Sequence, residues 1–359
     1  MENFIDYLGN KSSILDFIEN GINEYLYEGD TVLDLFAGSG VVSNKLSNKY
    51  NIIANDSEPY SATICSALLN SPSLTYSEIQ DLKKQLLSEK EYLIQQEHAR
   101  FAIIQEKKFV HDEEIIDLNT LYQEHETVWS SKKITPTLLR EKNQYNLFFR
   151  YYGGSYFGLE QAIEIDSIIK TIKSVDSKYN DLLYSKLFLT INNVVFSRDG
   201  HMAQPLDLLK NAQRALTDRK KIVIDIFVNY LNQATDSNSD TIYKNQIYNK
   251  SFEELLKKDN ILSKIDLVYA DPPYTDMQYS RYYHILNVAV NYNYPELTKN
   301  RNGYTKGLYT EGRFQSSLSQ RSRAEEDLKF LMQKCKDSKI NLALSYTWLK
   351  IFLLRQRYM

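Results

Sequence analysis

The residues best suited to chemistry are those of the segment Ala270-Asp271-Pro272-Pro273-Tyr274, which ends an apolar run. Neither proline has an N–H to donate, and each fixes φ at about −65°, so the pair ends a strand in a rigid turn whose carbonyl oxygens are free to accept hydrogen bonds. The segment therefore places a carboxylate, a bare carbonyl and an aromatic ring at the carboxyl edge of a predicted parallel sheet. Open α/β sheets bind their ligands there. The alternative is a plain strand-ending turn with Tyr274 in the core.

A second candidate is the segment Asp34-Leu35-Phe36-Ala37-Gly38-Ser39-Gly40. Its two glycines allow the backbone to turn sharply and to approach a ligand closely. The third glycine of the dinucleotide fingerprint is missing, because Ser43 stands at its position. The pattern thus argues against a pyrophosphate cradle and leaves room for a nucleoside without phosphates. Asp56, at the end of the next predicted strand, is placed to accept hydrogen bonds from a ribose diol.

The elements that position these residues alternate as strand, helix and strand. Residues 31–36 and 51–56 are predicted strands with a helical pattern between them, and parallel strands need crossovers covered by helices. The strand signal returns only at 265–270 and 341–346, so roughly two hundred mostly helical residues separate the second strand from the third. The sequence predicts an α/β fold with a parallel sheet and a large helical insertion.

Composition excludes several classes of protein. The 359 residues are 43% hydrophobic and 25% charged, which is typical of globular proteins and not of disordered or collagen-like ones. A net charge of −3 excludes a wholly polybasic binder but leaves room for a basic patch. Cys65 and Cys335 cannot build a disulfide framework or a cysteine zinc site, and the five histidines show no metal-ligand spacing, so no metal is expected.

Neither a membrane span nor a signal peptide is predicted. The chain contains no run of 18 apolar residues, and residues 1–6 lack a basic start followed by an apolar stretch. With only two cysteines, this indicates a soluble protein of the reducing cytoplasm.

Together and in this order, the two motifs resemble those of the Dam-like S-adenosylmethionine-dependent DNA adenine-N6 methyltransferases. The segment from Phe36 to Gly40 resembles the cofactor loop of that family, and Asp271-Pro272-Pro273-Tyr274 resembles its catalytic tetrapeptide. Tyr7-Leu8-Gly9-Asn10-Lys11-Ser12 is similar to the amino-terminal motif, whose aromatic residue and lysine lie beside the methionine part of the cofactor. Residues 154–166 and 278–284 also resemble a branch of these methylases, whereas 74–150 hardly do.

The resemblance implies a Rossmann-like sheet and a mechanism. Asp271 and the Pro272 carbonyl would accept hydrogen bonds from the adenine amine, whose nitrogen attacks the sulfonium methyl, while Tyr274 stacks on the flipped base. Ser251 is assigned to the position at which many relatives have an acid near the cofactor adenine. The residues implied in cofactor binding are Tyr7, Lys11, Asp34, Phe36, Gly38, Gly40, Asp56 and Ser251, and those implied in catalysis are Asp271, Pro272, Pro273 and Tyr274.

The domain prediction assigns residues 1–73 and 240–359 to a catalytic domain and 74–239 to a helical insertion for target recognition. Between 298 and 323 the charged residues are nearly all basic and are interleaved with tyrosines. Lys299, Arg301 and Arg313 are therefore predicted to contact nucleic-acid phosphates. The alternative is an exposed charged loop without a ligand.

The resemblance implies a site-specific adenine methyltransferase acting on double-stranded DNA. Such an enzyme can be the modification part of a restriction-modification system, but the sequence alone does not indicate whether a cognate restriction endonuclease accompanies it. Two alternatives stay open. One is methylation of RNA adenine or of another amine by the same tetrapeptide. The other is a truncated, inactive methylase that only binds DNA or cofactor, because the family sheet usually continues beyond the strand at 341–346 and its carboxyl-terminal strands are expected to be missing or rearranged here.

Overall fold

The computed structural model describes residues 11–130, 136–137, 144–198, 200–234, 242–257, 261–273, 278–301, 303–320, 322–345 and 351–354. Its internal contacts divide the chain into two compact units. The sheet unit comprises Met1–Ser71, Ser239–Ser280 and Phe314–Met359, and the helical unit comprises Pro72–Asn238 and Arg281–Arg313.

The strands confirm the predicted parallel α/β sheet. They are β1 (Thr31–Asp34), β2 (Asn51–Asp56), β3 (Asn245–Asn249), β4 (Leu267–Ala270), β5 (Lys299–Asn300), β6 (Gly303–Tyr304), β7 (Asn341–Ser345) and β8 (Ile351–Leu354). The sheet unit holds six of them in the order β3-β2-β1-β4-β7-β8, and every neighbouring pair is parallel except β7 and β8. The short strands β5 and β6 form an antiparallel ribbon in the helical unit. The fold is thus the Rossmann-like α/β sheet with many helices that the resemblance implies.

Buried apolar residues of the central strands hold the sheet unit together. In β1, Val32 packs in the core on one face with Ile18, and Leu33 packs in the core on the other face with Leu255 and Leu331. Successive side chains of a strand point to opposite faces, so a strand covered on both sides has to be apolar throughout its middle. This is why 31–36 and 265–270 could be recognised as strands.

The same strand order creates a ligand-binding edge. Strand β1 lies between β2 and β4, so the order along the sheet reverses at the carboxyl ends of β1 and β4. Open α/β sheets form their ligand crevice at such a point. The Leu35 N–H donates to the Tyr269 carbonyl at 3.0 Å, which continues the contact between the two strands as they reach this edge.

Helices cover the sheet and make up most of the second unit. The sheet unit contains the helices Leu15–Asn23, Val41–Leu46, Pro59–Asn70, Phe252–Leu256 and Ala324–Asp337. The helical unit contains Tyr76–Gln96, Arg100–His111, Ile115–Ser130, Leu147–Tyr151, Leu159–Ile172, Asn180–Val194, Ala212–Arg219, Val223–Gln233 and His284–Asn291, and a short helix spans Tyr279–Tyr282. Among the described residues, no helix is long and apolar enough to cross a membrane.

The expectation of missing carboxyl-terminal strands needs correction. Strand β8 pairs antiparallel with β7, with Ile351 opposite Ser345 and Leu354 opposite Leu342. The apolar run from Ile351 to Leu354 can therefore extend the sheet beyond the last strand that the sequence predicted.

Three buried carboxylates organise the helical unit. Each accepts the first free N–H groups of a neighbouring helix, which have no partner within their own helix. Glu106 accepts from Leu159 and Glu160, Asp166 from Phe148 and Phe149, and Glu164 from Val223 and Ile224. Burial raises the pKa of Asp166 to about 7, although these hydrogen bonds oppose the shift. The methylase-like block at 154–166 thus contains residues that hold this unit together.

The predicted boundary between the two parts also needs correction, because residues 281–313 belong to the helical unit and not to the sheet unit. Tyr292 illustrates the reason. Its hydroxyl donates to Asp166 at 2.6 Å, and the side chain is buried. Target recognition by this unit stays a prediction.

Candidate active site

The turn after β1 is shaped by its glycines. Gly38 and Gly40 have φ values of 54° and 72°, a region that glycine enters without steric cost. A Cβ on Gly40 would lie 2.9 Å from Leu68 Cδ1 and 3.2 Å from Cys65 Sγ, so this glycine lets the turn pack against the next helix. Gly38 instead lines a cavity at the carboxyl edge of the sheet.

Asp34 lies buried at the end of β1 and also lines the cavity. Its Oδ2 accepts a hydrogen bond from the Ser43 hydroxyl at 2.7 Å, while Oδ1 has no hydrogen-bond partner within the described part of the chain. The residue that replaces the third fingerprint glycine therefore orients this carboxylate. Burial raises the pKa of Asp34 to about 7, and the nearby Asp271 and Asp56 carboxylates add to the shift, against the hydrogen bond from Ser43.

Asp56 lies at the carboxyl end of β2, with its carboxylate held by the main chain. Oδ2 accepts from the Gly38 N–H and Oδ1 from the Glu58 N–H, both at 2.9 Å. Desolvation raises the pKa of Asp56, and these two hydrogen bonds oppose the shift. Because a carboxylate has about four acceptor positions, both oxygens can accept further bonds from a ligand in the cavity.

The end of β4 brings the tetrapeptide to the same cavity, which Asp271, Pro272 and Pro273 all line. Lys11 also lines it, and its Nζ forms an ion pair with Asp271 Oδ2 at 2.5 Å; the two side chains are 14% and 16% exposed. Lys11 thus contacts the predicted catalytic carboxylate directly. Tyr274 and Tyr7 lie outside the described residues, so their assignments stay predictions.

Several cavity residues were not predicted from the sequence: Asn55, Lys250, Phe252, Glu253, Gln278, Phe314 and Ser317. Asn55 precedes Asp56, and its amide donates to the carbonyls of Leu35 and Lys250, both at 3.1 Å. It therefore ties the loops after β1 and β3 to each other. The adjacent position in the motif was the only signal for Asn55. Phe252 and Glu253 lie on a short helix without a motif, and Gln278 lies in the family-like block 278–284, which did not single it out as a site residue.

Ser251 lies between two cavity-lining residues and caps a short helix. Its hydroxyl accepts from the Glu254 N–H at 3.2 Å and so caps the Phe252–Leu256 helix. Of the described residues in this segment, Lys250, Phe252 and Glu253 line the cavity and Ser251 does not. Contact of Ser251 with a cofactor stays a prediction that the geometry does not favour.

The predicted phosphate-contacting residues belong to the helical unit. Lys299 and Arg301 are exposed on the β5–β6 ribbon, with Lys299 Nζ 4.9 Å from the centre of the Tyr304 ring. The Arg313 guanidinium is half-buried and lies 5.0 Å from the centre of the Tyr309 ring. Two of the three are therefore accessible, whereas Arg313 also has a packing role.

Comparison with known proteins identifies a family that part of the chain matches. The family model for the D12 class N6 adenine-specific DNA methyltransferases matches residues 7–182, which include the Lys11 segment, the glycine turn and Asp56. The match covers just under half of the chain and confirms the resemblance to Dam-like adenine methyltransferases. A methyltransferase of this kind implies S-adenosylmethionine as the methyl donor.

Two curated relatives extend the comparison. The chain is 26% identical over 295 residues to the type II methyltransferase M.FokI of Planomicrobium okeanokoites, an alignment that covers 81% of this chain and 37% of that protein. It is 24% identical over 292 residues to the modification methylase LlaI of Lactococcus lactis subsp. lactis, covering 81% of this chain and 39% of the relative. The chain thus aligns with less than half of the length of each relative.

The residues that line the cavity fit S-adenosylmethionine. Asp34 and Asn55 both line it, and one oxygen of each, Oδ1, is buried without a hydrogen-bond partner among the described residues. Buried acceptors without a donor are costly, so a ligand with N–H and O–H groups is expected beside them. The cofactor carries an ammonium group, a ribose diol and an amino group on adenine. Lys11, Asp34, Phe36, Gly38 and Asp56 are the predicted binding residues that line the cavity.

Proposed function

We propose that the chain is a site-specific DNA methyltransferase that transfers a methyl group from S-adenosylmethionine to the N6 amine of a flipped adenine in double-stranded DNA. The observation that carries the proposal is one cavity at the carboxyl edge of the sheet that contains both Asp271 and the glycine turn with Asp56. A carboxylate for the amine thus lies beside the glycine turn and the predicted ribose acceptor, at the point where such sheets bind ligands.

The chemistry follows from hydrogen bonding. S-adenosylmethionine supplies a methyl group on a positively charged sulfur. Asp271 and the Pro272 carbonyl accept the two N–H groups of the adenine amine, which draws its nitrogen towards tetrahedral geometry and directs the lone pair outward. Attack on the methyl group then needs only positioning and electrostatic stabilisation, and the Asp271 carboxylate can take the proton that the methylated amine releases.

Lys11 contributes through its ion pair with Asp271. The 2.5 Å contact between Lys11 Nζ and Asp271 Oδ2 fixes the direction of the carboxylate on a side chain that is mostly withdrawn from water. Charge-assisted hydrogen bonds of this kind are stronger than neutral ones, so the pair can hold Asp271 ready for the amine.

The substrate and partners belong to the same proposal. The exposed basic residues Lys299 and Arg301, with Tyr304 beside them, suit a phosphate backbone, whose negative charge dominates nucleic-acid binding. Two relatives are named as a type II methyltransferase and a modification methylase. We therefore propose that the enzyme works in the cytoplasm as the modification part of a restriction-modification system with a cognate endonuclease.

The test is a methylation assay with labelled S-adenosylmethionine on duplex DNA, single-stranded DNA and RNA, for the wild type, Asp271→Ala and Asp271→Asn. We expect N6-methyladenine in duplex DNA with the wild type and loss of transfer in both variants. Affinity for S-adenosylmethionine, measured by calorimetry, should change by less than about threefold, because the Asp271 carboxylate is proposed to face the target amine and not the cofactor. A threefold change in affinity corresponds to under 1 kcal/mol. Methylation of RNA alone would identify the alternative substrate, and cofactor binding without transfer to any substrate would indicate an inactive binding protein.

A further inference from the structure

We infer that Arg281 and Arg313 form a phosphate-binding site of the helical unit, which holds the DNA backbone next to the flipped adenine. The inference rests on the proposed function. Arg281 is exposed on the short helix Tyr279–Tyr282, and Arg313 is half-buried. A phosphate contact of Arg313 is predicted from the sequence, whereas no prediction assigned a role to Arg281.

Both guanidinium groups lie on one tyrosine ring. Their central carbons are 5.5 Å (Arg281) and 5.0 Å (Arg313) from the centre of the buried Tyr309 ring. Arg281 Nε donates to the Tyr309 hydroxyl at 3.0 Å, and this hydroxyl donates to the Ala203 carbonyl at 2.5 Å. The tyrosine thus brings the two arginines together and orients one of them.

The two arginines carry positive charge that no carboxylate balances. Among the described residues, neither of them forms an ion pair with a carboxylate, whereas Arg100 and Arg214 of the same unit do. Arg313 Nε is also buried without a hydrogen-bond partner within the described part of the chain. Like charges repel and a buried donor without an acceptor is costly, so a bound anion would offset both costs. Because a guanidinium presents five N–H donors in a planar fork that matches phosphate oxygens, phosphate is the anion that suits this pair.

The position of Arg281 in the chain indicates which phosphate it binds. Tyr279, two residues earlier on the same helix, lines the cavity that contains Asp271. Two residues of chain span at most about 7 Å. An adenine whose amine meets Asp271 therefore brings the backbone of its own strand close to Arg281, and contacts to phosphates fix the register of a protein on DNA. The site should bind the phosphate of the flipped nucleotide or of its direct neighbour.

The experiment uses the duplex in which the methylation assay identifies the target adenine. The phosphates around that adenine are replaced one at a time with neutral methylphosphonates, and binding is measured by fluorescence anisotropy. The wild type should lose about tenfold in affinity at one position, the lower end of the range for a lost hydrogen bond to a charged group, because Arg281 is exposed. Arg281→Gln should bind the unmodified duplex about tenfold more weakly and lose no further affinity at that position, while the other positions keep their effects.

The salt dependence of binding is a second measurement. Arg281→Gln should reduce the log–log salt slope by about 0.9, as expected for one lost phosphate contact, and Arg281→Lys, which keeps the charge, should keep the slope. The matched control is Arg100→Gln, because Arg100 is an exposed arginine of the same unit that is paired with Glu91. It should change neither the slope nor the effects of the methylphosphonates.

The outcomes separate the inference from the proposed function. A folded Arg281→Gln protein with the same methylphosphonate effects as the wild type would exclude Arg281 from a phosphate site, even at lower overall affinity, and would leave the proposed function intact. A wild type that is insensitive at every phosphate beside the adenine would overturn the inference without any variant. A wild type that methylates no duplex would contradict the proposed function itself, and equal salt slopes of wild type and Arg281→Gln would then contradict the phosphate site as well. Thermal unfolding shows whether each variant is folded.

Discussion

Asp34 shows how a single buried carboxyl couples the site to pH. Its pKa in the folded protein is about 7, above the ordinary value of 3.8, because burial disfavours the charged form. Between these two values the unfolded chain has lost the proton and the folded protein keeps it. Its contribution to stability is therefore complete below pH 4 and is lost as the pH rises towards 7, with a slope of at most about 1.4 kcal/mol per pH unit.

The corresponding prediction concerns Asp34→Asn, which cannot titrate and can still accept from Ser43. The free energy of unfolding, measured with urea at pH 5 and pH 7, should fall less with rising pH in the variant than in the wild type. Asp166, whose pKa is also about 7, stays in both proteins and supplies the common background. An identical pH dependence in the two proteins would contradict the raised pKa of Asp34.

A second prediction at the level of single residues concerns Asp56 and the binding of S-adenosylmethionine. Asp56→Ala should weaken S-adenosylmethionine binding about ten- to a hundredfold, since a lost hydrogen bond to a charged group costs about 1.5 to 3 kcal/mol. Asp56→Asn keeps an acceptor for the Gly38 N–H and so separates loss of the charge from disruption of the glycine turn. Unchanged affinity in calorimetry with a folded alanine variant would exclude Asp56 from the ribose site.

At the scale of the elements, burial determines which strands could be predicted. Strands β1, β2, β4 and β7 have apolar centres, and all four are visible as apolar runs in the sequence. Strand β3, from Asn245 to Asn249, is half-exposed and largely polar, so its strand character comes from pairing with β2 and not from its own pattern.

The residues of the candidate site also fall into two groups, those that the sequence could predict and those that it could not. Asp34, Gly38, Asp56 and Asp271 could be predicted because each lies on or directly after a strand with a clear pattern. Residues such as Glu253 and Ser317 reach the cavity from loops and short helices, whose positions depend on tertiary contacts such as the hydrogen bond between these two side chains. No local pattern encodes that contact.

The buried carboxylates that cap helices of the helical unit are predicted to contribute strongly to its stability. Asp166→Ala leaves the N–H groups of Phe148 and Phe149 and the hydroxyl of Tyr292 without their acceptor in a buried site, so the free energy of unfolding should fall by about 3 kcal/mol or more. The control is Asp176, an exposed residue that caps the short 3₁₀-helix Ser177–Tyr179 by accepting from the Lys178 N–H. Asp176→Ala should cost only about 1 kcal/mol. Urea unfolding measures both, and equal losses would contradict the buried-cap interpretation.

At the scale of the whole molecule, DNA binding is predicted to depend on the basic ribbon. If Lys299 and Arg301 contact phosphates, replacing both with Ala should weaken binding to every duplex alike and reduce the log–log salt slope by about 1.8, at about 0.9 per contact. Arg313 is left unchanged, because its guanidinium packs on Tyr309. Sequence preference should survive.

The matched control for this binding experiment is Lys84→Ala, which removes an exposed lysine that is paired with Asp81 on a helix of the same unit. Its salt slope should equal that of the wild type. A double variant with an unchanged slope in a protein that still methylates DNA would place the ribbon outside the DNA interface.

The contact between Gly40 and Cys65 gives the protein a natural chemical reporter. Cys65 is buried against the glycine turn, and Cys335 is buried in the core on the opposite face of the sheet. A thiol reagent can modify either one only during transient opening of the structure around it. The rates of modification of the two thiols therefore report the opening of each face separately, without any engineered label. A ligand that tightens the glycine turn would slow the modification of Cys65. The rate of modification of Cys335 would stay unchanged and serve as an internal reference.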